Sequence, residues 1–272
     1  MSSGRIHSAV DDATSTTAFE YGARAGYVTS AVLHILIAYI VLRLAFGGGG
    51  NADQSGALAT LSSHTGGALT LWLAALGLFG LALWRAAEAV VGSHPNDPTE
   101  SDEGAKKQFK RVKSVALAVV YCGLAISAIR FATGGGQSSG QQNAGMSAQL
   151  MQSGWGKALL VIVGLVVIGI GGYHVYKGAS QKFLDDLKTS GGRVITPIGV
   201  AGYLAKGSVL AGAGLLVIVA TLRADPSKAA GIDAAVKTLG QAPFGKFLLI
   251  IAALGFAAYG AYCLVLARFA RM

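Results

Sequence analysis

The chain has 272 residues, of which 53% are hydrophobic and 13% charged, with a net charge of +9; ordinary soluble proteins carry about 25% charged residues. The apolar residues gather into long uncharged runs, not amphipathic stripes, and only two cysteines are present. A soluble globular chain, a disordered chain and a disulfide framework are all excluded, which leaves a multi-span membrane protein.

In chain order, a polar tail over 1–23 precedes the first apolar run, with no evident leader-cleavage site. Six apolar runs follow, at 25–42, 68–84, 114–129, 158–176, 207–222 and 247–267. A bilayer-crossing helix needs about 20 apolar residues. The runs lack the alternation of barrel strands, so they predict six helices that satisfy their own backbone hydrogen bonds in lipid. The third and fifth are short, but Lys113 and Arg130, and Lys206 and Arg223, flank them and can snorkel to lengthen the span. The uncharged stretch 194–205 leaves room for the fifth helix to begin earlier, with Lys206 inside it.

Orientation follows the Lys and Arg balance. One side, holding both termini and the 85–113 and 177–206 segments, carries 15 of the 22 basic residues. Both termini are therefore expected in the cytoplasm. The net positive charge is then a topology signal with some attraction to anionic lipid. Nucleic-acid binding is not expected, because the basic residues sit beside spans and not on a polar domain.

An internal repeat organises the runs. Gly67, Gly156 and Gly245 open the even spans at a spacing of 89. The same shift aligns Leu61, Leu150 and Leu239, and also Trp84, Tyr173 and Tyr262. A shift of 87 pairs Arg43 with Arg130 and the glycines at 47–50 with those at 134–136. The unit is a span, an external linker and a returning span, so the three copies share one orientation. This predicts parallel repeats about a pseudo-threefold axis along the membrane normal. The expected divisions are repeat 1 at 24–90, a cytoplasmic loop at 91–112, repeat 2 at 113–180, a second loop at 181–193 and repeat 3 at 194–272. Ile232, Val236 and Leu239 predict a short amphipathic helix at the outer interface. Met146 and Leu150 predict a weaker one in the second linker. The glycine runs should end the preceding helices.

Gly-Tyr near the start of an odd span (202–203), Ala-Pro-Phe-Gly-Lys-Phe-Leu-Leu at 242–249 and Gly-Ala-Tyr at 260–262 carry a family likeness. Over about residues 20–270 the chain resembles the DUF1206 family. The third repeat matches most closely. The first departs at 65–68, and the second has Lys113-Ser114 where Gly-Tyr would stand. The resemblance implies a bacterial, actinobacterial inner-membrane protein with three two-helix repeats, and implies no activity.

Ionisable residues within spans are functional candidates. His34, midway along the first span, is either a proton relay or ligand, or a packed histidine bonded to a nearby carbonyl. Arg85 and Glu88, at i and i+3, either pair with each other or line an ion path. Lys206, apolar on both sides, either snorkels or faces a central polar cavity. A bis-histidine haem is not supported, since His174 and His34 sit at different depths, about 9 Å apart at 1.5 Å per residue. Cys122 and Cys263 lie inside spans without metal-ligand spacing. No catalytic, cofactor or metal site assembles from the sequence, so the chain is not expected to be an enzyme. The hydrophilic 92–112 loop is a solvated linker or a docking segment. The expected role is an accessory or scaffold subunit packing against membrane lipids, other integral membrane proteins or a larger complex. The alternative is a small-solute or ion transporter using Lys206, His34 and the Arg85–Glu88 pair. The mitochondrial-carrier motif, which would support transport, is absent.

Overall fold

A computed structural model describes residues 17–91, 104–189 and 191–271. The tail before Thr17, the acidic 92–103 stretch and the side chain of Glu88 lie outside the described residues. In chain order the helices are α1 (Thr17–Ala45), α2 (Gln54–Ser62), α3 (Gly67–Val91), α4 (Gly104–Ala132), α5 (Ser139–Leu150), α6 (Gly154–Ala179), α7 (Gly192–Arg223), α8 (Ile232–Gln241) and α9 (Gly245–Phe269). Helices α1, α3, α4, α6, α7 and α9 are long and apolar enough to cross a membrane. The described residues contain no strand, only an isolated bridge between Leu187 and Ala270.

Local chemistry sets the ends of these helices. After α1 the chain turns through Gly47 at φ 81°, and the Gly48 N–H donates to the Arg43 carbonyl at 2.8 Å. After α4 the same turn recurs with Gly134 at φ 80° and a 2.8 Å bond from Gly135 N–H to the Arg130 carbonyl. After α7 it recurs with Ala224 at φ 51° and a 2.9 Å bond from Asp225 N–H to the Ala220 carbonyl. This left-handed C-terminal turn satisfies carbonyls that the helix leaves unpaired, and Arg43, Arg130 and Arg223 place positive charge at the negative ends of the dipoles. The even spans begin at the repeated glycines. A Cβ on Gly67 would lie 2.1 Å from the Leu61 carbonyl oxygen, and one on Gly156 would lie 2.0 Å from that of Leu150. The aligned Leu and Gly residues are thus a contact pair, in which the end of a linker helix presses on the start of the returning span.

Helix α7 begins at Gly192 and carries Lys206 in its interior, as the uncharged 194–205 stretch allowed. Helix α4 begins at Gly104, ahead of the apolar run that starts at 114. The Ala105–Lys113 stretch between is mostly Ala, Lys, Arg and Gln, good helix formers, so it continues the helix beyond the apolar run. In α8 the amphipathic pattern holds: Val236 is fully buried, and Ile232 and Leu239 pack against the core. In α5 it holds only in part. Leu150 packs against the cluster of Met151 and Leu160 as expected, but Met146 is exposed, and the buried residues of α5 are the small Gly140 and Ser147. The 180–189 connection is more than a solvated loop. A 3-10 turn at Lys182–Asp186 buries Phe183 and Leu187, two apolar residues that a free loop would expose.

Helix α1 packs between α3 and α9; α3 also packs on α4, α9 on α7, and α7 on α6. The order of neighbours is therefore α6–α7–α9–α1–α3–α4. The main core is built by Leu33, Ile37 and Val41 of α1, Leu71 and Leu78 of α3 and Phe256 of α9. Helices α6 and α7 approach closely, and a Cβ on Gly207 would stand 2.6 Å from the Gly171 carbonyl oxygen. Helices α4 and α6, consecutive spans joined by α5, make at most marginal contact with each other. At one end the Lys113 ammonium lies 5.7 Å from the centroid of the Tyr173 ring. Between them, a gap is left in the order of neighbours.

At the linker end, hydrogen bonds tie the connections together. Asp233 Oδ1 of α8 accepts from the Ala52 N–H at 2.8 Å, and Ser55 Oγ of α2 accepts from the Ser139 N–H at 3.0 Å. Asn51 donates to Ser138 Oγ at 3.2 Å. Asp233 is buried and also pairs with Lys237 at 2.7 Å. At the opposite end the Arg24 guanidinium of α1 donates to the Ala267 and Arg268 carbonyls of α9 at 3.2 and 3.1 Å.

Candidate intramembrane polar site

The polar side chains inside the spans converge around α9, which packs on α1 on one side and α7 on the other, with α6 beside α7. His34 is buried on α1. Its Nδ1 donates to the Ser30 carbonyl one turn earlier, at 2.7 Å, because a carbonyl can only accept. That bond selects the Nδ1–H tautomer for the neutral ring and leaves Nε2 as an acceptor. The ring lies 4.7 Å from that of Tyr259 and 6.4 Å from that of Phe256, both on α9.

Lys206 reaches the same place from α7. Its ammonium stands 3.9 Å from the Tyr259 ring centroid, a cation–π contact that helps hold a charge away from water. Lys206 lies within electrostatic range of His34, His174 and Cys263. Among the described residues no carboxylate pairs with it. His174 of α6 donates from Nδ1 to the Ile170 carbonyl at 2.9 Å, and its ring lies 5.7 Å from that of Tyr203. Cys263, buried on α9, sits 3.7 Å from Ser30 Oγ. Tyr121 of α4 is within electrostatic range of Arg85 on α3 and of Cys263.

The structure thus brings together two of the four residues singled out from the sequence, His34 and Lys206, through Tyr259. Arg85 is half-buried, within range of Tyr121 at the edge of this group. Tyr259 and Tyr203 were not found by sequence reasoning as site residues. Tyr203 was legible only as part of the Gly-Tyr motif, and Tyr259 carried no signal beyond being a tyrosine in an apolar run.

Next to the polar group lies an aromatic layer. Tyr203 and Phe183 stack at 5.4 Å, and Tyr262, fully buried, meets Phe183 edge-on at 5.2 Å. Tyr262 Oη donates to the Phe183 carbonyl at 2.7 Å, the partner that a buried phenol needs. Lys177 pairs with Asp186 at 2.5 Å, and the Arg271 N–H donates to the Asp186 carbonyl at 2.9 Å. These contacts plug the bundle at the end where α1 begins and α9 ends. Among the described residues no group of three or more His, Cys, Asp or Glu is placed to hold a metal ion.

The family model for a domain of unknown function, DUF1206, matches residues 25–92, 112–181 and 201–270. The chain belongs to this family. The three matched segments are the three repeats, each holding two of the long helices. The chain is also similar to the uncharacterized protein YxxB of Bacillus subtilis (strain 168), with 29% identity over 248 residues that cover 89% of this chain and 88% of the relative. No solved structure matches.

Proposed function

We propose that this DUF1206 member is a non-catalytic accessory membrane protein, whose function is to hold another membrane component against α4 and α6. The observation that carries this reading is the gap in the order of neighbours. Repeat 1 packs α1 on α3, and repeat 3 packs α7 on α9, while α4 and α6 of repeat 2 scarcely meet. Both helices are apolar, and each has a partner on one side only. Val119 and Val120 of α4 and Ile162 and Val166 of α6 are exposed.

The proposed arrangement is pseudo-threefold, with the three hairpins pointing the same way. The linker hydrogen bonds support it. Ser55 and Asp233 are equivalent at twice the 89-residue shift, and their donors, Ser139 and Ala52, are equivalent at the 87-residue shift. At the third joint the corresponding residues are Ala144 and Pro226, which lack an acceptor and a donor respectively. Gly140 instead lies opposite Ala230 there, where a Cβ added to the glycine would stand 3.5 Å from that of the alanine. The basic-residue balance supports an orientation with both termini in the cytoplasm, and the family likeness supports a bacterial plasma membrane.

Photocrosslinking tests the reading. A photoreactive residue at Val120 or Val166 should capture a defined protein or lipid that the same residue at Leu254, exposed on α9, does not capture. Identical labelling at all three positions would overturn it. The convergence of Lys206 and His34 favours a second reading, a polar route for a small solute or ion. In liposomes, flux unchanged by Lys206→Met, His34→Ala, Arg85→Ala and Glu88→Gln would remove that route.

A further inference from the structure

We propose that Lys206 holds the anionic headgroup of an acidic phospholipid, whose acyl chains occupy the gap between α4 and α6. The proposal rests on the reading of that gap as an occupied seam, and names the chemistry of the occupant.

Charge is the first argument. Lys206 is a cation inside an apolar span, and its one described polar contact is the face of the Tyr259 ring. His34 and His174 are its electrostatic neighbours, and no described carboxylate balances it. A desolvated ammonium without a counter-ion is strongly unfavourable, and an anionic oxygen ligand supplies both the charge and the hydrogen-bond acceptor that it lacks. Lysine is a known type of phosphate binder, acting as a point charge.

Access is the second. Lys206 is only half-buried, and the neighbouring helices leave one way in that is not sealed by a helix–helix contact, between α4 and α6. The seam walls follow from the one contact across it. Lys113 of α4 reaches over Tyr173 of α6. Helical periodicity puts Val120 on the Lys113 face, and Ile162 and Val166 on the Tyr173 face. All three are exposed aliphatic residues. A ligand entering there comes from the bilayer and needs acyl chains, so free phosphate does not fit the route.

Depth is the third. Arg223 ends α7, and at 1.5 Å per residue it is about 25 Å along the axis from Lys206. A hydrocarbon core of about 30 Å with Arg223 at one boundary sets Lys206 near the other boundary, the level at which a phospholipid phosphate meets its chains. Lys113 at the seam mouth adds a second cation on that side.

Native mass spectrometry of the full chain, purified with equal dioleoylphosphatidylglycerol and dioleoylphosphatidylcholine, tests this. The wild-type protein should retain the anionic phosphatidylglycerol in preference by about tenfold, the size of one charge-assisted contact. Lys206→Met should bring retention of the two lipids to parity while its circular dichroism spectrum stays that of the folded wild type. Val166→Trp, or Ile162→Trp should the first not fold, should empty the seam of both lipids. If Lys206→Met keeps the preference while the tryptophan variant empties the seam, the headgroup assignment is overturned and the seam reading stands. If the tryptophan variants retain lipid as wild type does, both fail. Displacement of the bound lipid by millimolar inorganic phosphate would overturn the acyl-chain requirement.

Discussion

The Lys206 ammonium stands 3.9 Å from the centroid of the Tyr259 ring, so a cation on α7 is held by an aromatic face on α9. Both residues lie in segments whose composition is nearly all apolar and small. Tyr259→Leu should lower the melting temperature in detergent, with a loss of about 2 kcal/mol for a desolvated cation–π contact. Tyr259→Phe should retain most of the stability because the ring face remains. In a double-mutant cycle with Lys206→Met, the Leu substitution should lose most of its effect. Additive losses would show that the two side chains do not interact.

The pressing of each linker helix on the following span predicts a contrast between neighbouring glycines. Gly156→Ala would place a Cβ 2.0 Å from the Leu150 carbonyl oxygen, a backbone atom that cannot swing aside. The expected loss is about 1–3 kcal/mol, that of overpacking. Gly154→Ala meets nothing within 4 Å and should be neutral or slightly stabilising. Thermal unfolding of the two variants side by side checks this.

The turn that ends each odd span uses glycine twice and alanine once. Ala224 takes the left-handed conformation at φ 51° and ψ 40°, which is unfavourable for a residue with a Cβ. Ala224→Gly should therefore stabilise the protein by about 1 kcal/mol. Gly134→Ala, at the equivalent turn, should destabilise it by a similar amount. Equal melting temperatures for both variants and wild type would show that the turn is not under strain.

The buried Asp233 serves two donors, the Ala52 N–H at 2.8 Å and the Lys237 ammonium at 2.7 Å. Asp233→Ala removes both bonds and leaves the Ala52 N–H without its acceptor, a loss of about 1–3 kcal/mol. Asp233→Asn can still accept from Ala52 and should lose less. Hydrogen exchange at the Ala52 amide should rise in the Ala variant and change little in the Asn variant.

Six spans, the three-fold repetition of a hairpin, the amphipathic α8 and the place of Lys206 inside α7 were all legible from residues. Each is a local property. Span length follows from transferring successive residues into an apolar medium, and a helix face follows from residues three or four apart. Even the Leu–Gly pairs at the linker ends were visible as an 89-residue spacing, although not the contact that explains them. The tertiary structure alone decided which apolar faces meet. In lipid, one aliphatic face is nearly as well solvated as another, so partner choice rests on small differences in packing such as the close approach at Gly171 and Gly207. It also made Tyr259 the partner of Lys206, folded Phe183 under Tyr262, and left α4 and α6 apart. None of these follows from periodicity, because each joins residues whose separation in the chain carries no information about their contact. The scarcity of charge marked the chain as a membrane protein from the outset, and only the packing showed that Lys206 meets an aromatic face and, among the described residues, no carboxylate.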